Sequence, residues 1–225
     1  MGYCDSINLM RKIVFTNNNY YHIFNRGVDK RKVFLTRYHF VRFIRTINNL
    51  LRIGIATPKI TEFNSSVFID KSLALEKKLS FVCYCLMSNH YHFIVRQIKD
   101  NGISEFMHQL NTSYTKYFNL NQKRIGRLFE YTFKAKLIDS EEQLLHLSRY
   151  IHLNPLVSNL TNDLTKYKWS SYVDYLGLRN GKLCNKEEVL GLFTGNNPSE
   201  EYENFLIDQI GYARELNIIK ETMFD

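Results

Sequence analysis

The chain has 225 residues, 44% of them hydrophobic, which is enough to bury a sizeable core in one main domain with an appendage. An excess of 30 Lys and Arg over 22 Asp and Glu gives a net charge of +8, and 14% aromatic residues suit stacking, so unpaired nucleic acid is a favoured class of partner. We find no CxxC pair, no signal peptide and no apolar stretch approaching about 18 residues, so we expect a cytoplasmic protein without a zinc ribbon, a disulfide framework or a membrane partner.

The hydrophobic pattern predicts the secondary structure in chain order. Alternation and apolar runs predict four strands, at 20–24, 79–87, 90–98 and 128–138. Helical spacing predicts helices at 36–51, 103–118 and 141–153, and the patternless stretch at about 55–78 is predicted to be an insertion. The order strand–helix–strand–strand–helix–strand is that of an α+β ferredoxin-like sandwich with an antiparallel central sheet. We expect residues 1–157 to form this domain and 158–225 a C-terminal helical extension, with segments at 186–193 and 200–219.

His90 and His92 begin the third predicted strand, HYHFIVRQI. Because side chains alternate along a strand, both imidazoles lie on one face, and Tyr91 and Phe93 lie on the other. Two imidazoles on one face of a central strand make a good pair of metal ligands. Taken alone, the same pair is also compatible with two unrelated polar side chains on a partly exposed face.

The helix predicted at 141–153 carries a second group of polar side chains. Ser140 is its expected N-cap and Pro155 its expected end, because the residue before a proline disfavours helical geometry. Tyr150 and Asn154 lie one turn apart on one polar stripe, and can present a hydroxyl and an amide oxygen to the same point. A solvated helix face is the alternative interpretation of this stripe.

Five segments together resemble a known family: MSNHYHFIV, SYTKYFN, GRLFEYTFKAKLI, RYIHLNPLV and YKWSSYVDYLG. They are similar to the REP-associated tyrosine transposases, which are relatives of the single-tyrosine HUH transposases of the insertion-sequence type. The resemblance covers roughly residues 20–195, and the ordered set is much more specific than any one motif. Relatives usually have Pro where Ser88 stands and an aliphatic residue where Tyr91 stands, and neither departure touches a residue with a chemical role.

The resemblance implies a metal-dependent reaction on DNA. It assigns His90 and His92 as ligands of Mg²⁺ or Mn²⁺, and Asn154 as the amide that completes the metal site. It assigns Tyr150 as the nucleophile that attacks a DNA phosphate and forms a 5′-phosphotyrosine link. The phosphotyrosine retains the energy of the broken phosphodiester, so rejoining needs no ATP, and no GxxxxGK[ST] loop is found in the sequence. The implied partner is single-stranded DNA with hairpin-forming repeats, bound by a monomer or a homodimer.

Other tyrosines and histidines are candidates for the same chemical roles. Tyr114 and Tyr117 could also be nucleophiles, but their spacing of three on one helix favours packing or stacking. His146 or His152 could accept the proton of the phenol. His152 is two residues from Tyr150, hence roughly opposite it on the helix, and is expected to be structural.

DNA contacts are less clearly indicated. Two basic runs could grip phosphates, namely Arg26, Lys30, Arg31 and Lys32 after the first strand, and Arg124, Arg127, Lys134 and Lys136 around the fourth. Basic turns are common in a protein of this charge, so each run can equally be a solvated surface. Trp169, with Tyr167 and Tyr172, could stack on a base, although a lone Trp is more often part of the core.

Three functions remain open from the sequence. The first is a DNA transposase that nicks and rejoins single-stranded or hairpin DNA through the phosphotyrosine. The second is a catalytically inactive nucleic-acid-binding protein of the same fold, although no RNP-like run of an RNA-binding domain is present. The third is a metal-dependent phosphodiesterase that uses water and does not need Tyr150.

Overall fold

Four antiparallel strands form one sheet in the order β2–β3–β1–β4. The computed structural model describes residues 13–53, 75 and 78–210. The strands are β1 (Tyr20–Arg26), β2 (Leu79–Leu86), β3 (His90–Gln97) and β4 (Lys134–Ile138). The helices are α1 (Arg37–Leu50), α2 (Gly102–Asn121), α3 (Glu141–Val157), α4 (Tyr172–Tyr175), α5 (Glu187–Leu190) and α6 (Pro198–Ile207). This order, with α1 and α2 as the crossover helices, confirms the predicted ferredoxin-like α+β sandwich.

The first face of the sheet packs against α1 and α2. Alternate strand residues such as Tyr21, Tyr91 and Phe93 point to this face and are fully buried. Phe43 of α1 and Leu110 of α2 enter the same core. An aromatic-rich interior between one sheet and two helices therefore accounts for much of the phenylalanine and tyrosine content of the chain.

The second face of the sheet packs against α3 and the segment that follows it. Its core contains Ile94 of β3, Ile151 of α3 and Tyr202 of α6. A bulge in β2, between Phe81 and Cys83, lets neighbouring residues join this one core and explains the continuous apolar run in the sequence. Residues on both sides of position 157 contribute to this core, and the predicted domain boundary there stays a prediction.

Two predicted element bounds are wrong. The strand expected at 128–138 is regular only over Lys134–Ile138, because Leu128 and Phe129 are both buried and Phe129 forms an isolated bridge with Gly27. Consecutive burial of two side chains does not fit the alternation of a regular strand.

Pro155 does not end α3, which continues to Val157. Proline costs a helix one backbone hydrogen bond, but Pro155 is buried, as are Leu153 and Leu156. The burial of Pro155 therefore outweighs the local preference of the proline.

The predicted N-cap of α3 is present, since Ser140 Oγ accepts from the backbone N–H of Gln143 at 3.1 Å.

Some predictions fall on residues that the structure does not describe. The insertion expected at about 55–78 lies outside the described residues, apart from Leu75 and Lys78, as do Cys4 and the last part of the helix expected at 200–219. The helices expected at 186–193 and 200–219 correspond to α5 and α6. Among the helices of the described ranges, none is both long and apolar enough to cross a bilayer.

Candidate active site

His90 and His92 lie on the second face of the sheet, as the alternation of β3 predicts. Their ring centres are 5.0 Å apart and their planes are nearly perpendicular, at 88°. Two imidazoles that bind one metal at right angles, each through a nitrogen at about 2.1 Å, place their ring centres roughly 4.5–5 Å apart. The spacing of the pair therefore fits a shared metal ion.

The tautomer of His90 follows from its hydrogen bond to Asn89. His90 Nδ1 lies 2.6 Å from Asn89 Oδ1, and an amide oxygen can only accept, so Nδ1 carries the proton. The Asn89 amide in turn donates to the backbone oxygen of Lys30 at 3.2 Å. Burial, with a contribution from Arg26, lowers the pKa of His90 to about 4, so the ring is neutral at pH 7. Its Nε2 lone pair is therefore available to a metal.

His92 has a similar partner on the neighbouring strand. His92 Nδ1 lies 2.9 Å from Nε2 of His22 in β1, and the two rings are stacked with centres 5.1 Å apart. Burial, and then the charge of Lys136, lowers the pKa of His22 to about 4. Burial first, with His90 and His22, lowers the pKa of His92 well below its ordinary value. Both rings are neutral, and if His92 Nδ1 is the donor, its Nε2 is free for a metal.

The sequence interpretation missed His22. The sequence does place His22 in the strand YYHIF, two residues before Phe24, so that the two side chains share one face of β1. In the ferredoxin-like order the first strand lies beside the third, and the pairing of Phe24 with His92 places His22 on the same face. Only this register between two strands, which the sequence does not state, makes His22 a neighbour of the site.

Tyr150 extends from α3 towards the histidine pair. Its ring centre is 5.8 Å from that of His92, at 81°, and the residue is 53% exposed. Asn154, one turn later, is 8% exposed, and its amide nitrogen donates to the backbone oxygen of Tyr150 at 3.0 Å. Because the nitrogen is the donor, the carbonyl oxygen is the end of the amide that can bind a cation. The structure thus brings the predicted nucleophile next to one of the predicted ligands.

The position of α3 is fixed through His152. This buried side chain lies between Tyr202 Oη, 2.6 Å from Nδ1, and Ser171 Oγ, 2.8 Å from Nε2. Tyr202 Oη also donates to Ser148 Oγ of α3 at 3.1 Å. Burial lowers the pKa of His152 to about 3. His152 therefore connects the tyrosine helix to α6 and has the structural role that its position on the helix predicts.

The role of the Asn154 amide as a third protein ligand for a metal ion at this site stays a prediction. Within the described part of the chain, no group of three or more His, Cys, Asp and Glu side chains could hold a metal ion. Two neutral imidazole nitrogens and one amide oxygen are a donor set that suits Mn²⁺ as well as Mg²⁺, and it leaves coordination positions for substrate oxygens.

The predicted basic residues separate into two groups. Lys134 and Lys136 of β4 pair with Phe24 and His22, so their side chains lie on the second face beside the histidines. Others have partners within the protein: Arg26 pairs with Glu130 at 3.0 Å, Arg31 with Asp29 at 3.2 Å, and Arg124 donates to Asn119 and to the backbone oxygen of Arg127. Lys30, at the end of a short 3-10 helix, and Arg127, in a loop, are exposed. The structure thus brings only the β4 lysines and Arg26 next to the site.

The competing tyrosines face away from this site. Tyr114 is fully buried in the first-face core and donates its hydroxyl to the backbone oxygen of Val33 at 2.6 Å. Tyr117 packs against the same core. Trp169 stacks on Phe40 with ring centres 4.6 Å apart, as expected of a core residue. Packing is therefore the role that the structure gives to these rings.

With the geometry described, comparison with known proteins identifies the family. The family model described as IS200-like transposase matches residues 7–154, more than half of the chain, so the chain belongs to the IS200-like transposase family. A solved structure of a REP-associated tyrosine transposase bound to a REP hairpin is similar, with a TM-score of 0.53 and 12% identity over 82% of this chain and 90% of that one. At this identity the likeness shows a shared fold. Comparison with curated proteins gives no match.

Proposed function

We propose that this transposase nicks and rejoins single-stranded or hairpin DNA through a covalent 5′-phosphotyrosine formed on Tyr150, with a divalent cation held by His90, His92 and Asn154. The observation that carries the proposal is the half-exposed Tyr150 ring, 5.8 Å from the ring of His92 on the second face. A tyrosine that faces both solvent and a neutral histidine pair can reach a phosphate bound between them.

The chemical step is an exchange of phosphate esters. Tyr150 Oη attacks the phosphorus, the bond from phosphorus to the 3′-oxygen breaks, and the 3′-hydroxyl leaves with a proton. When bound, Mg²⁺ or Mn²⁺ supplies positive charge to the phosphate oxygens and fixes the in-line geometry. The phenol proton passes to water, which reaches Tyr150 because the side chain is half exposed. Attack by another 3′-hydroxyl on the phosphotyrosine releases the enzyme and joins the new ends.

Support for a DNA substrate comes from charge and from the similar fold. Lys134 and Lys136 lie on the same face as the histidines, where they can contact phosphates on either side of the scissile one. The similar structure is bound to a REP hairpin, and we extend that substrate class to this chain. The remaining predicted contacts are Arg26, Lys30, Arg31, Arg124 and Arg127. A monomer or homodimer in the cytoplasm stays a prediction.

The decisive experiment incubates the protein with a labelled hairpin oligonucleotide, single-stranded flanks and Mn²⁺. We expect a covalent protein–DNA adduct that is lost in Tyr150→Phe and retained in Tyr38→Phe, a matched change at an exposed tyrosine of α1. His90→Ala and His92→Ala should abolish the adduct, and chelation of the metal should do the same. Binding without cleavage would instead support the inactive protein, and cleavage that survives Tyr150→Phe would support a phosphodiesterase that uses water.

A further inference from the structure

The histidine pair forms part of the lining of a cavity of about 340 Å³. Glu130 and Tyr131, in the segment before β4, and Lys134, the first residue of β4, also line this cavity. Cavities of roughly 300 Å³ or more are the size that holds small organic ligands. The proposed nucleophile and metal ligands would contact the scissile phosphate. Tyr131, on the same cavity, has no role in that proposal.

The backbone that carries Tyr131 is held firmly. The buried side chain of Asn25 donates to the backbone oxygens of Tyr131 and Thr132, at 2.8 and 3.1 Å. Asn111 of α2 donates to the same Thr132 oxygen at 2.6 Å. The backbone N–H of Glu130 donates to the backbone oxygen of Arg26 at 2.9 Å. Contacts from β1 and from α2 therefore fix the position from which Tyr131 projects.

The ring of Tyr131 is nevertheless 46% exposed. The ammonium of Lys134 lies 4.2 Å from the ring centre, over one face, which orients the ring and leaves a positive charge beside it. An exposed tyrosine by itself carries little information, and Tyr38 of α1 is 80% exposed. Tyr131 differs from Tyr38 because it lines the cavity that contains His90 and His92.

We propose that Tyr131 is a stacking platform for the nucleobase next to the scissile phosphate, with Lys134 contacting the phosphate of the same nucleotide. The ligand is an unpaired nucleotide, since a base within a duplex would not offer a face to the ring. The inference rests on the proposed function for the identity of the substrate as DNA. The new element is that stacking of an unpaired base on Tyr131 determines which phosphodiester is positioned over His90 and His92.

The test measures binding and needs no cleavage. Hairpin oligonucleotides with single-stranded flanks are titrated by fluorescence anisotropy into the Tyr150→Phe protein with EDTA present. Base–aromatic stacking predicts that an added Tyr131→Ala weakens binding roughly 5- to 150-fold, while Tyr131→Phe keeps the ring and stays within about twofold. Tyr38→Ala is the matched control at an exposed tyrosine outside this cavity and should leave binding unchanged.

An abasic nucleotide placed at each flank position in turn locates the base. At one flank position, removal of the base should weaken DNA binding by the protein that retains Tyr131. The same removal should not weaken DNA binding by the Tyr131→Ala variant any further. A loss that is the same in both proteins at every position overturns the proposal. The covalent-adduct assay tests the proposed chemistry separately. If the abasic nucleotide and Tyr131→Ala are coupled but no adduct forms with the unchanged protein, the base site is supported and the proposed chemistry is refuted.

Discussion

Replacement of His22 by phenylalanine tests how the metal site is organised. Phenylalanine keeps an aromatic ring that can stack on His92 and suits a position that is 8% exposed. It removes the Nε2 atom that lies 2.9 Å from His92 Nδ1. If His92 Nδ1 is the donor in this contact, its buried N–H then lacks an acceptor, and the ring is free to adopt the tautomer whose Nε2 carries the proton.

The size of the effect follows from that lost contact. A buried donor without an acceptor costs about 1–3 kcal/mol. Loss of a partner that orients a metal-binding histidine typically weakens metal affinity by about 10- to 100-fold. The two ranges agree, because a tenfold change corresponds to about 1.4 kcal/mol. We therefore expect His22→Phe to bind Mn²⁺ about 10- to 100-fold more weakly than the unchanged protein.

Isothermal titration with Mn²⁺ measures this affinity directly, and thermal melting followed by circular dichroism checks that the variant is folded. His22→Gln keeps an acceptor oxygen and should recover part of the affinity. His146→Phe changes a half-exposed histidine of α3 that contacts Arg149, and should leave Mn²⁺ binding unchanged. Equal affinity of His22→Phe and the unchanged protein would refute the assignment of His22 as the partner that orients His92.

Two further predictions concern the stability of the second-face core. Tyr202→Phe removes the hydroxyl shared by His152 and Ser148, so the free energy of unfolding in urea should fall by about 1–3 kcal/mol, with Tyr38→Phe unchanged. The pKa of His152 in the folded state, about 3, is below the value of 6.5 for an unperturbed histidine. The unfolded chain therefore binds more protons at this residue, and the free energy of unfolding falls as the pH drops below about 6.5. Urea titrations at pH 7.5 and 5.5 should differ by roughly 1 kcal/mol from this residue alone, and equal stabilities would contradict its neutral burial.

Local pattern was sufficient for the histidine pair and for the tyrosine helix. A strand period of two places His90 and His92 on one face whatever the rest of the fold does. Helical spacing does the same for Tyr150 and Asn154. These predictions depend only on the secondary structure of a short segment, and the sheet and α3 provide it.

Features that depend on distant parts of the chain were not predictable from local pattern. His22 becomes a partner of His92 through strand register, across 70 residues of sequence. The ion pair between Arg26 and Glu130, 104 residues later, is likewise not indicated by local pattern. The continuation of α3 through Pro155 likewise reflects the buried surroundings of the ring, which outweigh the local preference of a proline.

The contact of His152 with Tyr202 also has a consequence for the order in which the protein is made. The strands that carry His22, His90 and His92, and the helix that carries Tyr150, are all synthesised before Tyr202. During translation, the candidate ligands and the nucleophile therefore exist before the hydroxyl that fixes the tyrosine helix has left the ribosome. A nascent or prematurely terminated chain that ends before α6 would hold every chemical group of the site but lack that fixed placement. Synthesis as far as α6 is thus a condition for the contact between Tyr202 and His152 that fixes α3.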